Sequence, residues 1–585
     1  MKARLINENF KSDYVDNLLR ARGVNDVNLY YHPTSDCLQD PTALENITEG
    51  AALLYSVIQS EGKILIVVDS DNDGFTSGTI IYNYIKDIAP NMEIDYLLHE
   101  GKQHGLEDHI EKILDSDKHY HLIILPDSSS NDFEHHEKLR EGRTQVLVLD
   151  HHITDTPISK NAIIINNQLS PNYKNKELTG AGVVYQFCRY FDRIYGYSFA
   201  DKYMDLAAWG IIGDMGGMTE IENRYIVYEG LKKINNKCLM AFAQKQAYSI
   251  TGKMNASDQD IIDALNPISI AFYIVPLVNA MIRVGTMEEK TRLFEAFLDG
   301  DKLIPSGKRG AKGTLEKAGV EAARECSNAR NRQNKYLDDA MFKMEVKIVN
   351  NDLLDNKVLF CRLEEEDTFP SELNGLLAMK LSAKYKKPTI VARLGADGYN
   401  KGSMRGLNQS ELTSFKEFLE ASSMFEYVAG HDNAAGCSIP NSKLGQFHAW
   451  ANEALADYDF GENCYDVNFE RIAADHDLCD LIVDIGEHKG IWGQQNSEPY
   501  IYITDINFTS ADVQVMGANK DTVKITKNGV AYMKFKATEL IKEMKQYKEI
   551  KMEVVGRANL NEWGGRITPQ IFIDDYEIKD NKYGF

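Results

Sequence analysis

Three uninterrupted apolar runs in this chain each end at an acidic residue, and this pattern constrains the fold more than any other feature. They are Ile64–Val68 followed by Asp69-Ser-Asp71-Asn-Asp73-Gly74, Leu122–Leu125 followed by Pro126-Asp127, and Val146–Leu149 followed by Asp150-His151-His152. Runs of Ile, Leu and Val without alternation are typical of strands that are buried on both faces of a parallel sheet. Because ligands of such sheets bind beyond the carboxyl ends of the strands, we expect these acids and histidines to meet at one crevice.

Carboxylates crowded into one crevice repel each other unless a cation neutralises them, so the pattern predicts a metal site. The two histidines add imidazole, which suits manganese-like or zinc-like ions. A further acid, Asp214, follows the apolar run 206–213. A mixed Asp/His set favours a two-metal hydrolase, in which paired ions activate a water and stabilise the oxygens of a phosphoryl group.

Each segment taken alone has a simpler interpretation. The stretch 69–73 is compatible with a surface turn or a calcium loop, but the twelfth position of such a loop is Ile80 and not the bidentate Glu that calcium requires. The pair His151-His152 alone is compatible with an ordinary hydrogen-bonded pair in the core or on the surface. All four segments together, in this order, favour the metal site over these alternatives.

The composition is that of a soluble globular protein with several domains. The chain has 585 residues, of which 43% are hydrophobic and 26% charged, and single cores seldom grow beyond about 250–300 residues. A run of about 18 apolar residues is not apparent, and the N-terminus lacks the apolar core of a signal peptide, so we expect no membrane association. The eight cysteines form no Cys-x-x-Cys pair, which argues against a zinc ribbon or a disulfide framework and fits a reducing cytoplasm.

The net charge of −22 disfavours nucleic-acid binding, but one segment has the opposite sign. Between Lys302 and Leu337 there are nine basic residues against three acids, Glu316, Glu321 and Glu325. The basic residues are Lys302, Lys308, Arg309, Lys312, Lys317, Arg324, Arg330, Arg332 and Lys335. This segment is either a track for phosphates or a solvated linker helix.

The pattern of apolar residues and breakers predicts an α/β architecture with four parts. Residues 1–60 have a helical and loop pattern, strands alternate with helices from 64 to about 215, and helices dominate from about 220 to 300. The breaker stretch 305–313 precedes a basic helix at about 314–340 and a smaller mixed α/β unit that runs to about 455. The last 130 residues hold short β-like runs, for which a small barrel such as an OB-fold is a natural candidate. The predicted boundaries are 1–305, 306–345, 346–456 and 457–585.

The acid and histidine segments resemble the four signature segments of the DHH phosphoesterases. The first segment, with three aspartates, is similar to the RecJ branch, the single-strand-specific exonucleases. Other members of the family more often carry His-x-x-x-Asp-x-Asp there, and the position of that histidine is Val67 in this chain.

Further segments that resemble RecJ extend over nearly the whole chain. They are Leu178-Thr-Gly-Ala-Gly-Val183, Glu222-Asn-Arg224, Pro276-Leu-Val-Asn-Ala-Met-Ile-Arg283, Gly402-Ser403-Met-Arg405, Gly430-His431-Asp-Asn-Ala-Ala-Gly436, Gly490-Ile-Trp-Gly-Gln-Gln-Asn-Ser-Glu-Pro499 and Asn561-Glu-Trp-Gly-Gly. The resemblance implies a DHH catalytic domain, a linker helix, a DHH-associated substrate-binding domain and a C-terminal OB-like nucleic-acid-binding domain within the four boundaries above.

The resemblance also implies roles for individual residues. Two divalent ions, Mn²⁺ or alternatively Mg²⁺, would be held by Asp69, Asp71, Asp73, Asp127, His151 and Asp214. Asp150 would orient His151 and His152, and His152 would donate to the scissile phosphate. Ser403 and Arg405 are similar to the family's clamp on the terminal 5′ phosphate. Asn279, Arg283 and His431 would line a cleft between the domains.

This chain departs from the RecJ pattern at several positions. RecJ proteins tend to have an Arg and a Tyr in the segment that corresponds to His99–Leu106, where this chain has His99, Lys102 and His104 as candidates for substrate contact. Leu277 and Ile282 replace a usual Arg and Gly, and Ala429 replaces the first Gly of Gly-Gly-His. Such a divergent version with the full architecture fits a bacteriophage or mobile-element gene.

The resemblance predicts a metal-dependent 5′→3′ exonuclease that acts on single-stranded DNA in recombination, repair or replication. The expected protein is a monomer that works with a helicase or a single-strand-binding protein. Its C-terminal domain would hold the strand through aromatic residues such as Trp492 and Trp563. The alternative for each of these two tryptophans is a core residue of the barrel. One alternative is a DHH phosphodiesterase for short oligoribonucleotides or cyclic dinucleotides. Another is a non-catalytic replication or repair scaffold, although none of the expected acids is missing.

Overall fold

The computed structural model describes the chain except for residues 102, 155–157, 312, 365–366, 564–565 and 584–585, and except for the side chains of 563 and 580–583. The chain forms two compact units. The first contains residues 26–334 together with 490–497, and the second contains residues 1–25, 335–489 and 498–585.

The strands of the described residues are numbered in chain order. They are β1 (Lys2–Leu5), β2 (Ile64–Val68), β3 (Ile94–Leu98), β4 (Leu122–Pro126), β5 (Gln145–Asp150), β6 (Ile163–Asn166), β7 (Leu303–Pro305), β8 (Leu315–Lys317), β9 (Leu359–Leu363), β10 (Thr389–Leu394), β11 (Tyr399–Arg405), β12 (Tyr427–His431), β13 (Ala434–Pro440), β14 (Cys464–Val467), β15 (Phe469–Ile472), β16 (Tyr500–Thr509), β17 (Val513–Met516), β18 (Thr522–Lys527), β19 (Val530–Lys534), β20 (Tyr547–Trp563) and β21 (Arg566–Tyr583).

The α-helices are numbered in the same way. They are α1 (Tyr14–Ala21), α2 (Val27–Tyr31), α3 (Ile47–Gln59), α4 (Asn72–Ile88), α5 (Ile110–Leu114), α6 (Phe133–Glu141), α7 (Gly180–Tyr195), α8 (Met204–Gly213), α9 (Ile221–Lys232), α10 (Lys237–Lys245), α11 (Ala247–Thr251), α12 (Asp258–Ala264), α13 (Pro267–Ser269), α14 (Val275–Val284), α15 (Met287–Leu298), α16 (Ala318–Asn350), α17 (Asn374–Tyr385), α18 (Phe415–Ala421), α19 (Leu444–Ala454), α20 (Leu478–Glu487) and α21 (Thr538–Met544).

The first unit is built on the predicted parallel sheet. Its strand order is β3-β2-β4-β5-β6, and every neighbouring pair is parallel. All residues of β2 and β4 are buried, as their unbroken apolar runs predict. The three runs with acidic ends are the adjacent strands β2, β4 and β5, so their carboxyl ends lie side by side at one edge of the sheet.

Helices α4, α7 and α8 pack against each other beside this sheet. Their buried aromatic and aliphatic side chains, such as Phe75, Phe187 and Trp209, join the strand residues in one continuous core. The core thereby fixes the N-termini of α4 and α7 and the C-terminus of α8. These three helix ends carry the candidate site.

One segment of the described chain, Pro267–Val284, is long and apolar enough to cross a membrane by length and composition. This corrects the expectation that the sequence holds no such run. More than half of the segment is buried inside the first unit, where Ile274, Val278 and Met281 join the main core. Its burial is that of a core helix in a globular unit.

The second unit contains two larger sheets. The first has the order β12-β13-β11-β10-β9, in which only the pair β9 and β10 is parallel among the described strands, and it forms the mixed unit predicted before residue 455. The second has the order β15-β16-β20-β21-β19-β18-β17 and forms the predicted C-terminal β-domain. Its strands β20 and β21 pair over nearly their whole length as one long hairpin, although the sequence predicted only short runs there.

The first residues of the chain differ from the prediction of helical and loop material. Lys2–Leu5 form β1, which pairs in parallel with β14 in the second unit. Arg4 donates to Asp466 at 2.8 Å and strengthens this pairing. The three predicted boundaries, at 305/306, 345/346 and 456/457, stay a prediction, and the packing places residues 1–25 with the C-terminal half of the chain.

Candidate metal centre

The structure brings all six predicted metal ligands together beyond the carboxyl ends of β2, β4 and β5. Their ligand atoms fall into overlapping groups, and within each group all the atoms lie within 4.8 Å of one another. The groups are Asp69 with Asp71 and Asp127, Asp73 with His151 and Asp214, and Asp127 with Asp150, His151 and His152. Since Asp127 and His151 each occur in two groups, the side chains form one continuous cluster.

Backbone geometry holds the aspartates of the first segment in place. Asp71 is the N-cap of α4, and its carboxylate accepts a hydrogen bond from the Gly74 amide at 2.9 Å. Asp73 lies in the first turn of α4, where it accepts hydrogen bonds from Thr179 Oγ1 at 3.2 Å and from the Ala181 amide at 3.1 Å. The N-terminus of α7 therefore positions Asp73 through two donors.

Asp127 is held in an unusual backbone conformation. Its φ of 68° lies in the left-handed region, which costs a non-glycine residue of order 1–3 kcal/mol. Its amide donates to the carbonyl of Leu149 at 2.8 Å, beyond the end of the β4–β5 pairing. The strained turn directs a carboxylate that is 1% exposed into the cluster, which indicates a functional constraint at this position.

His151 lies between two of the aspartates. Its Nε2 is 3.2 Å from Oδ1 of Asp127 and 3.4 Å from Oδ2 of Asp214, but neither contact has hydrogen-bond geometry. Burial, together with the neighbouring His152, lowers the pKa of His151 to about 4. The imidazole is therefore neutral at pH 7 and has a lone pair for a metal ion.

Asp150 contacts both residues of the His-His pair. One of its oxygens accepts from the His151 amide at 2.7 Å and lies 2.7 Å from Nδ1 of His152, and the other accepts from the Ser130 amide at 3.0 Å. Burial opposes the charge of Asp150, but the contacts with His152 outweigh it and hold the pKa of Asp150 well below its usual range. Burial likewise opposes a charge on His152, yet Asp150 raises the pKa of His152 to about 9.

The other carboxylates of the cluster do not favour their charged forms without a cation. Burial, followed by the charges of neighbouring aspartates, raises the pKa of Asp73 to about 7 and that of Asp214 to about 8. Burial raises the pKa of Asp69 to about 6, and burial with four neighbouring aspartates raises the pKa of Asp127 well above its usual range. A bound cation would remove the repulsion that causes these shifts.

Several buried atoms in the cluster accept no hydrogen bond within the part of the chain that the structure describes. They are Oδ1 of Asp69, Oδ2 of Asp73, Oδ1 of Asp127 and Nε2 of His151. Buried polar atoms nearly always have partners, so these atoms point to an ion. The donor set of carboxylate oxygens with one imidazole fits Mn²⁺ or Mg²⁺, and the residues present thus fit the expected metals.

Two glycines allow the close packing around the cluster. A Cβ on Gly180 would lie 2.2 Å from Oδ1 of Asp127, and a Cβ on Gly210 would lie 2.2 Å from Oδ1 of Asp73. Neither distance is sterically possible without movement of the carboxylate. Any larger residue at these positions would therefore displace a candidate ligand.

We expect Gly180→Ala to lower metal-dependent turnover by about a hundredfold, because a ligand displacement of about 1 Å has effects of this size. Turnover at saturating Mn²⁺ and the Mn²⁺ dissociation constant should both be measured. Gly445→Ala is the matched control, since a Cβ on this helical glycine meets no atom within 4 Å. Equal turnover in both variants would show that Asp127 does not need its present position.

The two histidines of the 99–106 segment, His99 and His104, lie in different environments. Nδ1 of His104 lies 2.6 Å from Oδ2 of Asp69, so His104 contacts the metal cluster directly, a contact that the sequence did not indicate. His99 is 3% exposed, and its ring packs on His109 with 4.4 Å between the centroids. The burial of His99 corrects the prediction that this residue contacts the substrate, because a ring enclosed in this way does not reach a substrate without rearrangement. Lys102 lies outside the described residues.

The remaining predicted substrate residues lie outside the metal cluster. In the second unit, Arg405 and His431 are both paired with Ala434, on neighbouring strands, so the three residues share one row and one face of the sheet. Ser403 lies in the next row of that face, opposite Gly436. In the first unit, Asn279 and Arg283 are one turn apart on the half-buried side of α14. The predicted cleft between the domains stays a prediction.

The predicted basic helix is partly neutralised by acids. Lys317 pairs with Asp301 at 2.7 Å, Arg324 with Glu316 at 2.8 Å, and Arg332 with Glu289 at 2.7 Å. Lys302 pairs with Glu295 at 4.0 Å, and Lys312 lies outside the described residues. The stretch 303–317 forms the hairpin β7–β8 before α16 begins. The region therefore carries less free positive charge than the sequence suggests.

Of the two predicted stacking aromatics, Trp492 is 0% exposed, so it is a core residue and cannot stack on a base. Of the two alternatives for Trp492, its burial supports the core residue over the stacking aromatic. The side chain of Trp563 lies outside the described part of the structure.

Together, the parallel sheet and the Asp/His cluster at its edge define a DHH-type phosphoesterase. Two family models match the chain: the DHH family N-terminal domain at residues 63–211 and the RecJ OB domain at residues 475–575. Over its whole length the chain is 35% identical to a protein named putative SPbeta prophage-derived single-strand DNA-specific exonuclease YorK of Bacillus subtilis, of which it covers 99%. The chain belongs to the RecJ-like branch of the DHH family.

More distant similarities agree with this assignment. The chain is 24% identical to the single-stranded-DNA-specific exonuclease RecJ of Bacillus subtilis, with 97% of this chain and 68% of that protein covered. The crystal structure of RecJ in complex with Mn²⁺ from Thermus thermophilus superposes with a TM-score of 0.71 at 18% identity, and covers 100% of this chain and 80% of that chain. This structural match confirms the predicted fold.

Proposed function

We propose that the protein is a metal-dependent exonuclease that hydrolyses phosphodiester bonds of single-stranded DNA in the 5′→3′ direction, in recombination, repair or replication. The observation that carries the proposal is the cluster of five aspartates and His151, in which Asp69, Asp73 and Asp127 are buried and whose crowded carboxylates fit two divalent ions. The names of two relatives that match nearly the whole of this chain, both single-strand DNA-specific exonucleases, support the substrate class. The prophage-derived relative also supports a phage or prophage origin.

The residues of the cluster have different proposed roles. Asp69, Asp71, Asp73, Asp127, His151 and Asp214 would hold two Mn²⁺ or Mg²⁺ ions, which, when bound, supply a water of lowered pKa and neutralise charge on the phosphate oxygens. His152, charged through its contact with Asp150, would donate to a phosphate oxygen as negative charge develops. His104 orients Asp69 through their 2.6 Å contact.

Arg405 and Ser403 would bind the 5′ phosphate of the strand. Nη1 of Arg405 donates to the carbonyl of Met404 at 2.7 Å, and a Cβ on Gly375 would lie 2.4 Å from Nη2 of Arg405, so the guanidinium is held in a narrow space. Burial lowers the pKa of Arg405 from its usual value, but an arginine stays charged at neutral pH. A fixed, half-buried guanidinium is a suitable phosphate ligand.

We expect Arg405→Ala to raise the KM for a 5′-phosphorylated strand by about tenfold to a hundredfold, the loss of one charge-assisted hydrogen-bonding group. The KM for a strand with a 5′ hydroxyl should change much less. Lys401→Ala, which removes an exposed cation on the same strand that pairs with Asp397, is the control. A similar rise in KM for both substrates would contradict the proposal that Arg405 binds the 5′ phosphate.

Several parts of the proposal concern the surroundings of the reaction. The C-terminal β-domain would hold the trailing strand, consistent with the match to the RecJ OB domain at 475–575. A monomeric state, a cytoplasmic location and cooperation with a helicase or a single-strand-binding protein complete the proposal.

The function is tested with the purified protein, Mn²⁺ and four end-labelled substrates: a long single strand with and without a 5′ phosphate, a blunt duplex and a dinucleotide. We expect stepwise loss of nucleotides from the 5′ end of the single strand and no digestion of the duplex. Faster turnover of the dinucleotide would instead support the phosphodiesterase alternative. Intact single strands at every Mn²⁺ concentration would contradict the enzyme proposal and favour a scaffold.

A further inference from the structure

The loop that follows Asp214 determines where this candidate ligand lies. Asp214 is the C-cap of α8, and its carboxylate extends toward Nε2 of His151 at 3.4 Å. The next residue, Met215, has a φ of 63° in the left-handed region and is 54% exposed. A strained residue persists only where its surroundings fix it, so the loop 213–219 needs external support.

Part of this support comes from a distant segment, Gly490–Ser497, which we call the strut. The amide of Met218 donates to the carbonyl of Gln494 at 2.9 Å. The hydroxyl of Thr219 donates to Oε1 of Gln495 at 3.1 Å. The strut therefore binds the loop by a backbone and a side-chain hydrogen bond, four and five residues after Asp214.

The loop and the strut approach so closely that each needs a glycine. A Cβ on Gly217 would lie 2.3 Å from Oε1 of Gln495, and a Cβ on Gly493 would lie 2.6 Å from Cγ of Met218. Both distances are shorter than any normal contact, so the two segments are complementary in shape at both positions.

The strut is itself held firmly inside the first unit. The side-chain amide of Asn496, which is 0% exposed, donates to the hydroxyl of Tyr30 and to the carbonyl of Ile491, both at 3.0 Å. The Tyr30 hydroxyl in turn donates to the carbonyl of Met218 at 2.9 Å. Asn496 thus supports Met218 indirectly, through Tyr30, whereas Gln494 bonds Met218 directly.

A second set of contacts joins the strut and the loop to α9. Nη1 of Arg224 donates to the carbonyl of Gly490 at 3.1 Å, and the side-chain amide of Asn223 donates to the carbonyl of Gly217 at 3.0 Å. Neighbouring residues of one helix therefore bind the strut and the loop. Such a network has little freedom to shift the loop without breaking several bonds.

The strut belongs to the first unit by its packing but not by its neighbours in the chain. Lys489 precedes it and Glu498 follows it, and both belong to the second unit. It also lies within residues 475–575, which match the RecJ OB domain. A segment inserted from the C-terminal domain thus supplies structural support to the metal centre.

We propose that the strut positions Asp214 and so sets the metal affinity of the candidate centre, with Thr219 and Asn496 as its positioning residues. The inference rests on the proposed metal-dependent function. In this arrangement the C-terminal domain contributes to metal binding as well as to substrate binding. Outer residues that orient metal ligands typically change metal affinity by about 10–100-fold when they are removed.

The proposal is tested with Thr219→Val and Asn496→Ala in the full chain, by calorimetric titration of Mn²⁺ into metal-free protein. In each variant we expect weaker binding of at least one of the two Mn²⁺ ions, with a dissociation constant about tenfold higher than in the wild type. In kinetics, kcat at a fixed, limiting Mn²⁺ concentration should fall and recover at high Mn²⁺, while the KM for DNA stays unchanged. Thr219→Ser, which keeps the hydroxyl, should retain the wild-type affinity for Mn²⁺.

Asn452→Ala is the matched control, because it removes a hydrogen-bonded asparagine from the other unit, and we expect it to leave Mn²⁺ affinity unchanged. Wild-type affinity in both folded strut variants would overturn the positioning role and leave the proposed function intact. Equal loss of affinity in the Asn452→Ala control would also overturn it. Wild-type protein that binds no Mn²⁺ would overturn the proposed function and this inference together. Thr219→Val removes one surface hydrogen bond and keeps the fold, so a failure of Asn496→Ala to fold does not prevent the test.

Discussion

Replacement of Asp127 by asparagine is expected to lower the rate of strand hydrolysis by at least about 10³-fold without loss of the fold. The carboxylate belongs to two of the three ligand groups, so its loss affects both candidate ions. The contribution of a metal ion to phosphoryl chemistry is several kcal/mol, and each 1.4 kcal/mol corresponds to about tenfold in rate. The amide is nearly isosteric, so the strained turn at φ 68° can be retained.

The same substitution should raise the stability of the metal-free protein at neutral and higher pH, because it removes an acid whose ionisation is opposed by burial and by the neighbouring aspartates. Turnover, Mn²⁺ binding and the thermal midpoint in EDTA are the three measurements. The control is Asp205→Asn, which changes a buried carboxylate outside the cluster that accepts from the amides of Asn235 and Asn236, and we expect its turnover to stay near wild type. Hydrolysis by Asp127→Asn within tenfold of wild type would contradict the metal assignment.

The second large effect is a loss of stability of the metal-free protein as the pH rises from about 4 to 8. The folded-state pKa values of Asp69, Asp73 and Asp214 are raised to about 6, 7 and 8, above the unfolded value of about 3.9. A raised pKa means that the folded state binds more protons than the unfolded state in this range, so stability falls with increasing pH. The three differences in pKa together correspond to a change on the order of ten kcal/mol.

Thermal midpoints measured in EDTA across this pH range check the expectation. With saturating Mn²⁺ the trend should flatten or reverse, because the bound cation replaces the protons and binds better as they leave. The Asp127→Asn variant in EDTA should show a weaker dependence on pH than the wild type. A metal-free protein whose stability rises from pH 5 to pH 8 would show that the carboxylates are not crowded as the structure indicates.

The sequence was sufficient to predict the cluster, because the position of each acid depends only on the apolar run that directly precedes it. An unbroken apolar run predicts a buried parallel strand, and the residue after the run must lie at the carboxyl edge of the sheet. Asp69, Asp127 and Asp150 follow β2, β4 and β5 for this reason, and the three strands are neighbours in the sheet. The roles of individual ligands came from the resemblance to the DHH family.

Features that depend on distant partners could not be predicted in this way. His99 and His104 lie in one short polar segment, and only tertiary packing determines that His104 contacts Asp69 while His99 is buried on His109. The positive charge of Arg332 is neutralised by Glu289, 43 residues away. β1 is formed because β14, about 460 residues later, pairs with it.

The strut shows the same limit most clearly. The segment 490–497 lies in the chain between parts of the C-terminal β-domain, and its motif alone suggested nucleic-acid contact through Trp492. Its packing against Met218 and Thr219 follows from no local pattern. Long-range hydrogen bonds of this kind have no periodic signature in the sequence.

Anomalous diffraction from crystals grown with Mn²⁺ tests the central claim, a two-metal centre at the edge of the parallel sheet, most directly. We expect two anomalous peaks in the wild-type protein, both bound by side chains from the set Asp69, Asp71, Asp73, Asp127, His151 and Asp214, and loss of at least one peak in Asp127→Asn. Peaks elsewhere in the chain, or no peak at this cluster at saturating Mn²⁺, would contradict the account.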